Sequence, residues 1–299
     1  MDRIVECVPN FSEGRRKEVV DAIADAGRSV AGVTVLDVEM DANHNRSVIT
    51  LVGDPDAAAE AAFRMAAKAV ALIDLNVHRG EHPRIGALDV CPFIPIRGVA
   101  MDDCVRLARD LGRRLADELG VPVYLYEAAA TRPERRALPD IRKGEFEGLK
   151  VEVETNPDRA PDFGPPRLHP TAGASVVGAR PPLIAYNVNL GTADVKVAKA
   201  IAKRVREKDG GLPAVRALGF ELRDRGLVQV SMNLVNYKVT SIAAAFDAVS
   251  RHAAERNVPA VASEIVGLLP ADALPPDAVA RLKLENFRPD QILENRLKA

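Results

Sequence analysis

The feature that most constrains this chain is an order of strand-like and helix-like segments that occurs twice, on either side of a proline-rich stretch. Seven of the 21 prolines fall between Pro157 and Pro182. Because proline cannot continue a helix or a central strand, this stretch predicts a loop-like crossing. The crossing divides the chain into two predicted subdomains, an N-terminal one over residues 1–180 and a C-terminal one over residues 181–299.

The N-terminal half predicts the order βαββαβ. β-rich runs predict strands, and amphipathic runs that follow capping residues predict helices. Ser12 is the expected cap of the first helix. The predicted strands are 4–8, 33–38, 47–52 and 87–96, and the predicted helices are 15–26 and 55–75. A helix over 101–119, a strand over 121–126 that joins the same sheet, and a polar helical turn over 135–143 are expected to follow.

The C-terminal half predicts the same order. Its expected strands are 183–190, 214–222, 227–234 and 259–266, and its expected helices are 193–207, capped by Thr192, and 241–255. The order βαββαβ is that of the ferredoxin-like unit, in which helices cover one face of an antiparallel sheet. The sequence therefore predicts an α/β (α+β) protein with two ferredoxin-like subdomains and helices on the outer face of each sheet.

The composition of the chain argues against several classes of protein. The chain has 41 Lys and Arg against 42 Asp and Glu, without the basic surplus typical of nucleic-acid binders. The longest apolar-looking run, 57–73, contains Glu60, Arg64 and Lys68, so it predicts an amphipathic helix and no membrane span. Three scattered cysteines and a first segment without an apolar signal core indicate a reducing cytoplasm.

The segment VHRGEHPRIGALDV contains His78 and His82 in the H-x-x-E-H pattern of inverted zinc proteases. A zinc site of this kind needs both imidazoles on one helical face, but Gly80 lies inside the pattern and Pro83 follows it. We therefore predict a loop and no metal. A polar loop with two imidazoles, a carboxylate and two arginines is either a solvated surface or a general acid–base site with cationic neighbours for an anionic substrate.

Three further polar clusters compete as sites. VPNFSEG at 8–14 places Asn10 and Ser12 near a helix start, where anions bind, although helix capping also explains Ser12. DANHNRS at 41–47 places His44 and Arg46 before a strand, although a turn explains its asparagines. AYNVNL at 185–190 puts two asparagines on one sheet face, which mildly favours a lined cleft because buried amides need partners.

Five long segments carry a family resemblance: VECVPNFSEG, HRGEHPRIGALDVCPFIPIRG, VPVYLYEAA, PDFGPPRLHPTAGASVVGAR and LENFRPDQILENRL. With them the chain resembles the formiminotransferase family, glutamate formimidoyltransferase, from about residue 3 to residue 297. The resemblance covers the transferase alone, because no residues remain for the cyclodeaminase that is fused to it in mammalian enzymes.

The resemblance implies a specific activity. The family moves a formimino group from N-formimino-L-glutamate to N5 of tetrahydrofolate, a co-substrate, in histidine degradation, and its members are homodimers with a folate cleft between two α/β subdomains. The family's catalytic histidine falls on His82. The chain departs from mammalian members at Ala172, where they have an aromatic residue, and at Glu39, where they have Asp. The family's folate-binding stretch falls on Gly164, Pro165, Pro166, Arg167, Leu168, His169, Pro170, Thr171, Ala172 and Gly173.

Alternatives remain open at this stage. Formyl transfer from N-formylglutamate to tetrahydrofolate would use nearly the same residues, because the two donors differ by one heteroatom. A non-catalytic folate-binding protein and a metal-dependent hydrolase using His78 and His82 belong to other classes. Arg46, Arg79 and Arg84 are candidate clamps for substrate carboxylates. No nucleic acid and no membrane are expected as partners.

Overall fold

The computed structural model of the chain describes residues 2–297, and it divides after Arg180 into two compact units. The first unit contains the following strands and helices in chain order: β1 (Ile4–Cys7), β2 (Asn10–Phe11), α1 (Lys17–Arg28), β3 (Val33–Asp41), β4 (Arg46–Gly53), α2 (Pro55–Leu72), β5 (Leu88–Arg97), α3 (Met101–Leu119), β6 (Val123–Glu127), α4 (Leu138–Ile141), α5 (Glu145–Glu152) and β7 (Ser175–Ala179).

The sheet of the first unit has the strand order β3-β4-β1-β5-β7-β6, with the short β2 also lying between β4 and β5. Strands β3, β4, β1 and β5 are antiparallel neighbours, and together with α1 and α2 they form the predicted ferredoxin-like unit. Strand β7 pairs in parallel with both β5 and β6. The predicted strand 121–126 therefore joins the sheet, but only through β7.

The presence of β7 corrects the prediction for the proline-rich stretch, which contains a buried strand at Ser175–Ala179 rather than loop throughout. The run Ser-Val-Val-Gly-Ala carries no proline, so both of its edges can form ladder hydrogen bonds. Both neighbours lie far away along the chain, and their pairing is a tertiary effect that the flanking prolines hide.

Apolar side chains form two clusters, one on each face of this sheet. The larger cluster includes Val5, Ile49 and Phe93 and is covered by α1, α2 and α3. The smaller one lies on the opposite face, where Tyr126 and Val176 pack against Ile141 and Leu149 of α4 and α5. The short helices α4 and α5 thus cover part of the face that a plain ferredoxin-like unit leaves open.

The second unit contains β8 (Ile184–Leu190), α6 (Val195–Val205), β9 (Val215–Leu222), β10 (Leu227–Leu234), α7 (Ile242–Ala254), β11 (Ala260–Val266), α8 (Ala278–Arg281) and α9 (Leu293–Arg296). Its antiparallel sheet has the order β11-β8-β10-β9, the ferredoxin-like arrangement that the sequence predicts. Asp194 caps α6 by accepting the backbone N–H of Lys196, which corrects the prediction of Thr192.

Candidate active site

The loop between α2 and β5 carries both histidines of the H-x-x-E-H pattern, and it is not helical. His78 is buried, and both of its ring nitrogens have partners. Nε2–H donates to the carbonyl of Asn45 at 2.8 Å, and Nδ1 accepts from Nε of Arg84 at 3.2 Å. His78 is therefore a structural link between the loop and the turn before β4, and it offers no lone pair to a metal or a substrate.

His82 is half-buried, and its Nδ1 has two close neighbours. The carbonyl oxygen of Pro83 lies 2.7 Å away, and Nη1 of Arg46 lies 2.9 Å away. A carbonyl only accepts, so the Pro83 contact requires Nδ1–H and leaves the Nε2 lone pair free to act as a base. The guanidinium only donates, so the Arg46 contact selects the other tautomer. The balance of these two contacts sets which nitrogen carries the proton.

The surroundings of His82 keep its ring neutral. Burial lowers the pKa of His82 to about 3, and the positive charges of Arg46 and Arg142 act in the same direction. The carboxylate of Asp89 opposes the shift but does not outweigh it. At neutral pH this histidine is therefore a proton acceptor.

Asp89 links the two arginines beside His82. Its side chain is fully buried, where its carboxylate accepts the backbone N–H of Ile85 at 2.9 Å, Nη1 of Arg46 at 3.0 Å, and Nη2 of Arg142. Burial opposes ionisation, but Arg142 and Arg46 outweigh it and hold the pKa of Asp89 below its usual value. Two guanidiniums and one carboxylate give this cluster a net charge of +1 beside His82.

The sequence analysis missed Asp89 and Arg142. Asp89 is a lone charge inside the apolar run 87–96, and such a residue signals a buried ion pair. Arg142 lies in the polar turn after α4, more than 50 residues from Asp89, and no local pattern distinguishes it from the exposed arginines around it.

Asn10 of the 8–14 cluster belongs to this site, whereas Ser12 does not cap a helix. Oδ1 of Asn10 accepts Nη2 of Arg46, and Nδ2 donates to the carbonyl of Val8. The Ser12 hydroxyl donates to the carbonyl of Gly86 at 2.7 Å, and α1 starts at Lys17. Ser12 directly follows β2, and its hydrogen bond therefore links the end of this strand to the loop that carries His82.

Of the three arginines proposed as clamps, Arg46 alone contacts His82. Arg84 is buried and forms a bidentate pair with Glu147, with both N···O distances at 2.7 Å, and a further bond to Glu145. That pairing anchors α5 on the loop and occupies the guanidinium. Arg79 donates to backbone carbonyls of its own loop.

The burial of segment 164–173 changes along its length. Residues 164–167 are exposed, whereas Ala172 and Gly173 are buried against the strand that follows His82. Ala87 donates its N–H to the carbonyl of Ala172 at 2.9 Å, and Nδ1 of His169 accepts two backbone N–H groups of its own turn. Ala172 belongs to the apolar core of the first unit.

The two asparagines of β8 lie on the sheet face opposite Tyr186, as their alternation predicts. Nδ2 of Asn187 donates to Glu264 at 2.9 Å, and Oδ1 of Asn189 accepts Nε2 of Gln229 at 3.0 Å. Each amide therefore has one side-chain partner within the second unit, whereas Nδ2 of Asn189 is buried without a hydrogen-bond partner among residues 2–297.

Two kinds of feature are absent from the described residues. Across residues 2–297, no three or more His, Cys, Asp and Glu side chains are grouped so that they could hold a metal ion. Within the same range, no helix combines the length and the apolar character needed to cross a membrane.

Comparisons with known proteins agree with this geometry. The family model described as "Formiminotransferase domain, N-terminal subdomain" matches residues 4–180, and "Formiminotransferase domain" matches residues 185–286. Glutamate formimidoyltransferase of Streptococcus pyogenes serotype M1 is 47% identical over 99% of both chains. The Thermoplasma acidophilum protein of that name is 51% identical over 99% of this chain and 97% of its own. Formimidoyltransferase-cyclodeaminase of Rattus norvegicus is 47% identical over 92% of this chain, and the match spans 51% of that protein.

Proposed function

The chain belongs to the formiminotransferase family, and from this membership we propose that it transfers the formimino group of N-formimino-L-glutamate to N5 of tetrahydrofolate. The products are 5-formiminotetrahydrofolate and L-glutamate, and the reaction belongs to histidine degradation. The observation that carries the proposal is the position of His82 on the loop before β5, with the Pro83 carbonyl and Arg46 both against its Nδ1.

The reaction needs the base that His82 supplies. N5 of tetrahydrofolate attacks the formimino carbon, a tetrahedral intermediate forms, and N5 must lose its proton as it becomes bonded to carbon. An imidazole whose Nδ1–H is donated to Pro83 presents the Nε2 lone pair for that proton. With its pKa lowered to about 3 the ring is unprotonated throughout the neutral range but a weak base, and a substrate carboxylate bound at Arg46 and Arg142 would raise this pKa by offsetting their charges.

The arginine cluster supports binding of an anionic donor. Formiminoglutamate carries carboxylates, and the net charge of +1 on Arg46, Arg142 and Asp89 attracts one of them. The same positive charges disfavour protonation of His82, and a carboxylate of the bound donor would offset them and so strengthen His82 as a base.

For the folate, we propose the segment from Gly164 to Gly173. Its exposed part, 164–167, is accessible to a ligand, and its buried part runs beside residues 85–87, which follow His82 along the chain. Gly164 has a φ of +85°, and a Cβ on it would lie 3.2 Å from Pro122 and 3.3 Å from Ala116, so glycine lets the segment pack closely on the residues before β6.

The donor is tested by turnover of tetrahydrofolate with N-formimino-L-glutamate and with N-formyl-L-glutamate, each followed through the absorbance of its folate product. We expect faster turnover with the formimino donor. Faster turnover with the formyl donor would establish the alternative transferase. Folate binding without turnover of either donor would favour a non-catalytic folate-binding protein.

The metal-dependent hydrolase is tested separately. We propose that the enzyme needs no metal, because both nitrogens of His78 already have protein partners and the loop is not helical. Dialysis against a chelator should leave turnover unchanged. Activity that is lost on chelation and restored by zinc would reverse this assignment.

We also propose that the protein works in the cytoplasm as a homodimer, as the family resemblance implies. Cys7, Cys91 and Cys104 are free thiols buried in the first unit, which fits a reducing compartment. Sedimentation equilibrium should give twice the chain mass of 32.2 kDa. A single-chain mass across the concentrations used in the assay would exclude the dimer.

A further inference from the structure

The turn between β3 and β4 holds a second histidine in a fixed orientation. Oδ1 of Asp41 accepts the backbone N–H groups of Asn43 and His44, at 2.8 and 2.9 Å. Oδ2 of the same carboxylate accepts Nδ1–H of the His44 ring at 2.7 Å. With Nδ1–H held by this carboxylate, Nε2 is the nitrogen of His44 that exchanges protons: it carries N–H in the protonated ring and a lone pair in the neutral one. Asp41 therefore sets both the position and the tautomer of His44.

This turn is fastened to the loop that carries His82. Nδ2 of Asn45 donates to the carbonyl of Arg79 at 2.9 Å, and the His78 ring donates to the carbonyl of Asn45. Gly80 lies so close that a Cβ placed on it would be 2.2 Å from the carbonyl oxygen of His44. Only a glycine permits this approach, so the two segments are held in one fixed arrangement.

As a result the rings of His44 and His82 lie close to each other. Their centroids are 6.2 Å apart, and their planes are inclined by 67°. The His44 side chain is 47% exposed, and its Nε2 makes no hydrogen bond with any residue in the range 2–297. His44 thus has a free, oriented nitrogen beside His82, whereas His78 has none.

We propose that His44 is a second proton carrier of this site, which protonates the departing glutamate nitrogen while His82 takes the proton of the attacking one. The proposal rests on the proposed transfer reaction, which moves one proton off N5 and one onto the leaving nitrogen. Two imidazoles at this spacing can each come within roughly 3 Å of two nitrogens that are bonded to one carbon between them.

In the transfer, one carbon–nitrogen bond forms and another breaks. The N5–carbon bond forms with the N5 electron pair, and the C=N π pair moves to the imino nitrogen. His82 Nε2 takes the N5 proton. The glutamate nitrogen then leaves with the electron pair of its bond to carbon and receives a proton from Nε2 of protonated His44, while the C=N bond re-forms. Afterwards His82 is protonated and His44 neutral, and solvent returns the proton from one to the other.

Asp41 acts as a positioning residue for His44. The backbone N–H of His44 contributes most to lowering the pKa of Asp41, so the carboxylate stays ionised and compensates the charge that the ring carries before transfer. A His44 without this partner could rotate and lose its alignment. Asp41→Asn should therefore lower kcat less than loss of His44 does, and it should leave KM for both substrates unchanged.

The test compares His44→Ala and His44→Gln with the wild-type enzyme at saturating substrates. We expect kcat to fall by on the order of 10²–10⁴-fold in both variants, with little change in KM, as for loss of a proton carrier. Added imidazole should partly restore His44→Ala, and across substituted imidazoles the restored rate should follow their pKa. If the His44 ring merely filled space, the restored rate would instead follow the size of the added imidazole.

Asn43→Ala is the matched control, since the Asn43 side chain lies in the same turn and only its backbone makes hydrogen bonds. It should keep wild-type kcat. A His44→Gln enzyme that is folded by circular dichroism and fully active would overturn the inference while leaving the transfer reaction intact. Equal losses in Asn43→Ala and His44→Ala would also overturn it. A wild-type enzyme without turnover of either donor would remove the proposed function, and the inference with it.

Discussion

His78 and His82 lie four residues apart on one loop, yet their contacts give them different roles. His78 is buried and both of its nitrogens are hydrogen-bonded, whereas His82 keeps one nitrogen free next to a cationic cluster. Their spacing matches a zinc-protease pattern, which the sequence argues against because Gly80 and Pro83 predict a loop. Individual contacts, and not the motif, assign the chemistry to His82.

His82→Gln should lower kcat by on the order of 10²–10⁴-fold and change the Kd for tetrahydrofolate only slightly, because a proton carrier contributes mainly to the transition state. Steady-state kinetics and equilibrium folate binding measure the two quantities. His78→Gln is the comparison. It should lower the free energy of unfolding by about 1–3 kcal/mol, since it disrupts buried hydrogen bonds, and should lower kcat less. Equal losses of kcat would assign the proton transfer to the loop as a whole.

Asp89 is the residue whose loss should destabilise the first unit most. Asp89→Asn removes the only buried carboxylate that neutralises both Arg46 and Arg142 in the described site, and uncompensated buried charges destabilise strongly. We expect the free energy of unfolding in urea to fall by about 3–5 kcal/mol. Asp21→Asn breaks the exposed pair with Lys17 and should change it by less than about 1 kcal/mol. Similar effects would mean that the buried cluster is only weakly coupled to folding.

At the scale of elements, the site around His82 is formed by several segments that pack side by side, and no single segment contains it. The turn before β4, the loop before β5 and the segment before β7 are joined by backbone hydrogen bonds and by glycines that permit close approach. Gly173 shows this most clearly. It has a φ of +70°, and a Cβ there would lie 2.2 Å from the carbonyl oxygen of Ile85.

Gly173→Ala should therefore act mainly on the stability of the fold and less on folate binding. We expect the free energy of unfolding to fall by roughly 3 kcal/mol or more, because both strain and a main-chain clash result. Gly210→Ala is the matched control, since Gly210 has a φ of +85° but nothing within 4 Å of the added Cβ. Its effect should be about 1 kcal/mol. Equal losses of unfolding free energy in the two variants, measured by chemical denaturation, would show that the backbone around Gly173 shifts to accommodate the new methyl group.

For several helices and strands, the local pattern of apolar residues is sufficient to predict the structure. The boundaries of α3 were predicted as they are observed, and the two βαββαβ orders are confirmed by the pairing of the strands. Helix and strand periodicity reports on one buried face, and each of these elements has one. Strand β7 was missed because its five residues are surrounded by prolines and are stabilised by partners about 50 and 85 residues away.

For the whole molecule, two buried groups make opposite contributions to the pH dependence of stability. Burial raises the pKa of Glu6 to about 7 against an ordinary value of 4.5, and Arg180 only partly offsets this. The neutral acid is the stable form in the folded protein, so this contribution is present below about pH 4.5 and is lost as the pH rises through 7. His82, with its pKa lowered to about 3 from 6.5, contributes stability that is lost as the pH falls from 6.5 towards 3.

Urea unfolding between pH 4 and pH 8 tests both groups. Compared with wild type, Glu6→Gln should gain stability as the pH rises from 4.5 to 7, because an amide cannot ionise. Relative to wild type, His82→Gln should gain stability as the pH falls below 6.5. A constant difference from wild type across the whole range, for either variant, would show that the group titrates in the folded protein as it does in the unfolded chain.

The sequence by itself determined the two ferredoxin-like orders, the loop that carries His82 and the family to which the chain belongs, because periodicity, proline and long motifs are local properties. Only the tertiary structure decided the surroundings of His82. Asp89, Arg142, Arg46 and His44 come from three separate stretches of the chain, and no local pattern shows that they lie together. The pKa of His82 and the pairing of two imidazoles depend on distances between atoms that strand pairing brings together. Electrostatic energy depends on those distances and on burial, and neither can be obtained from separation along the sequence.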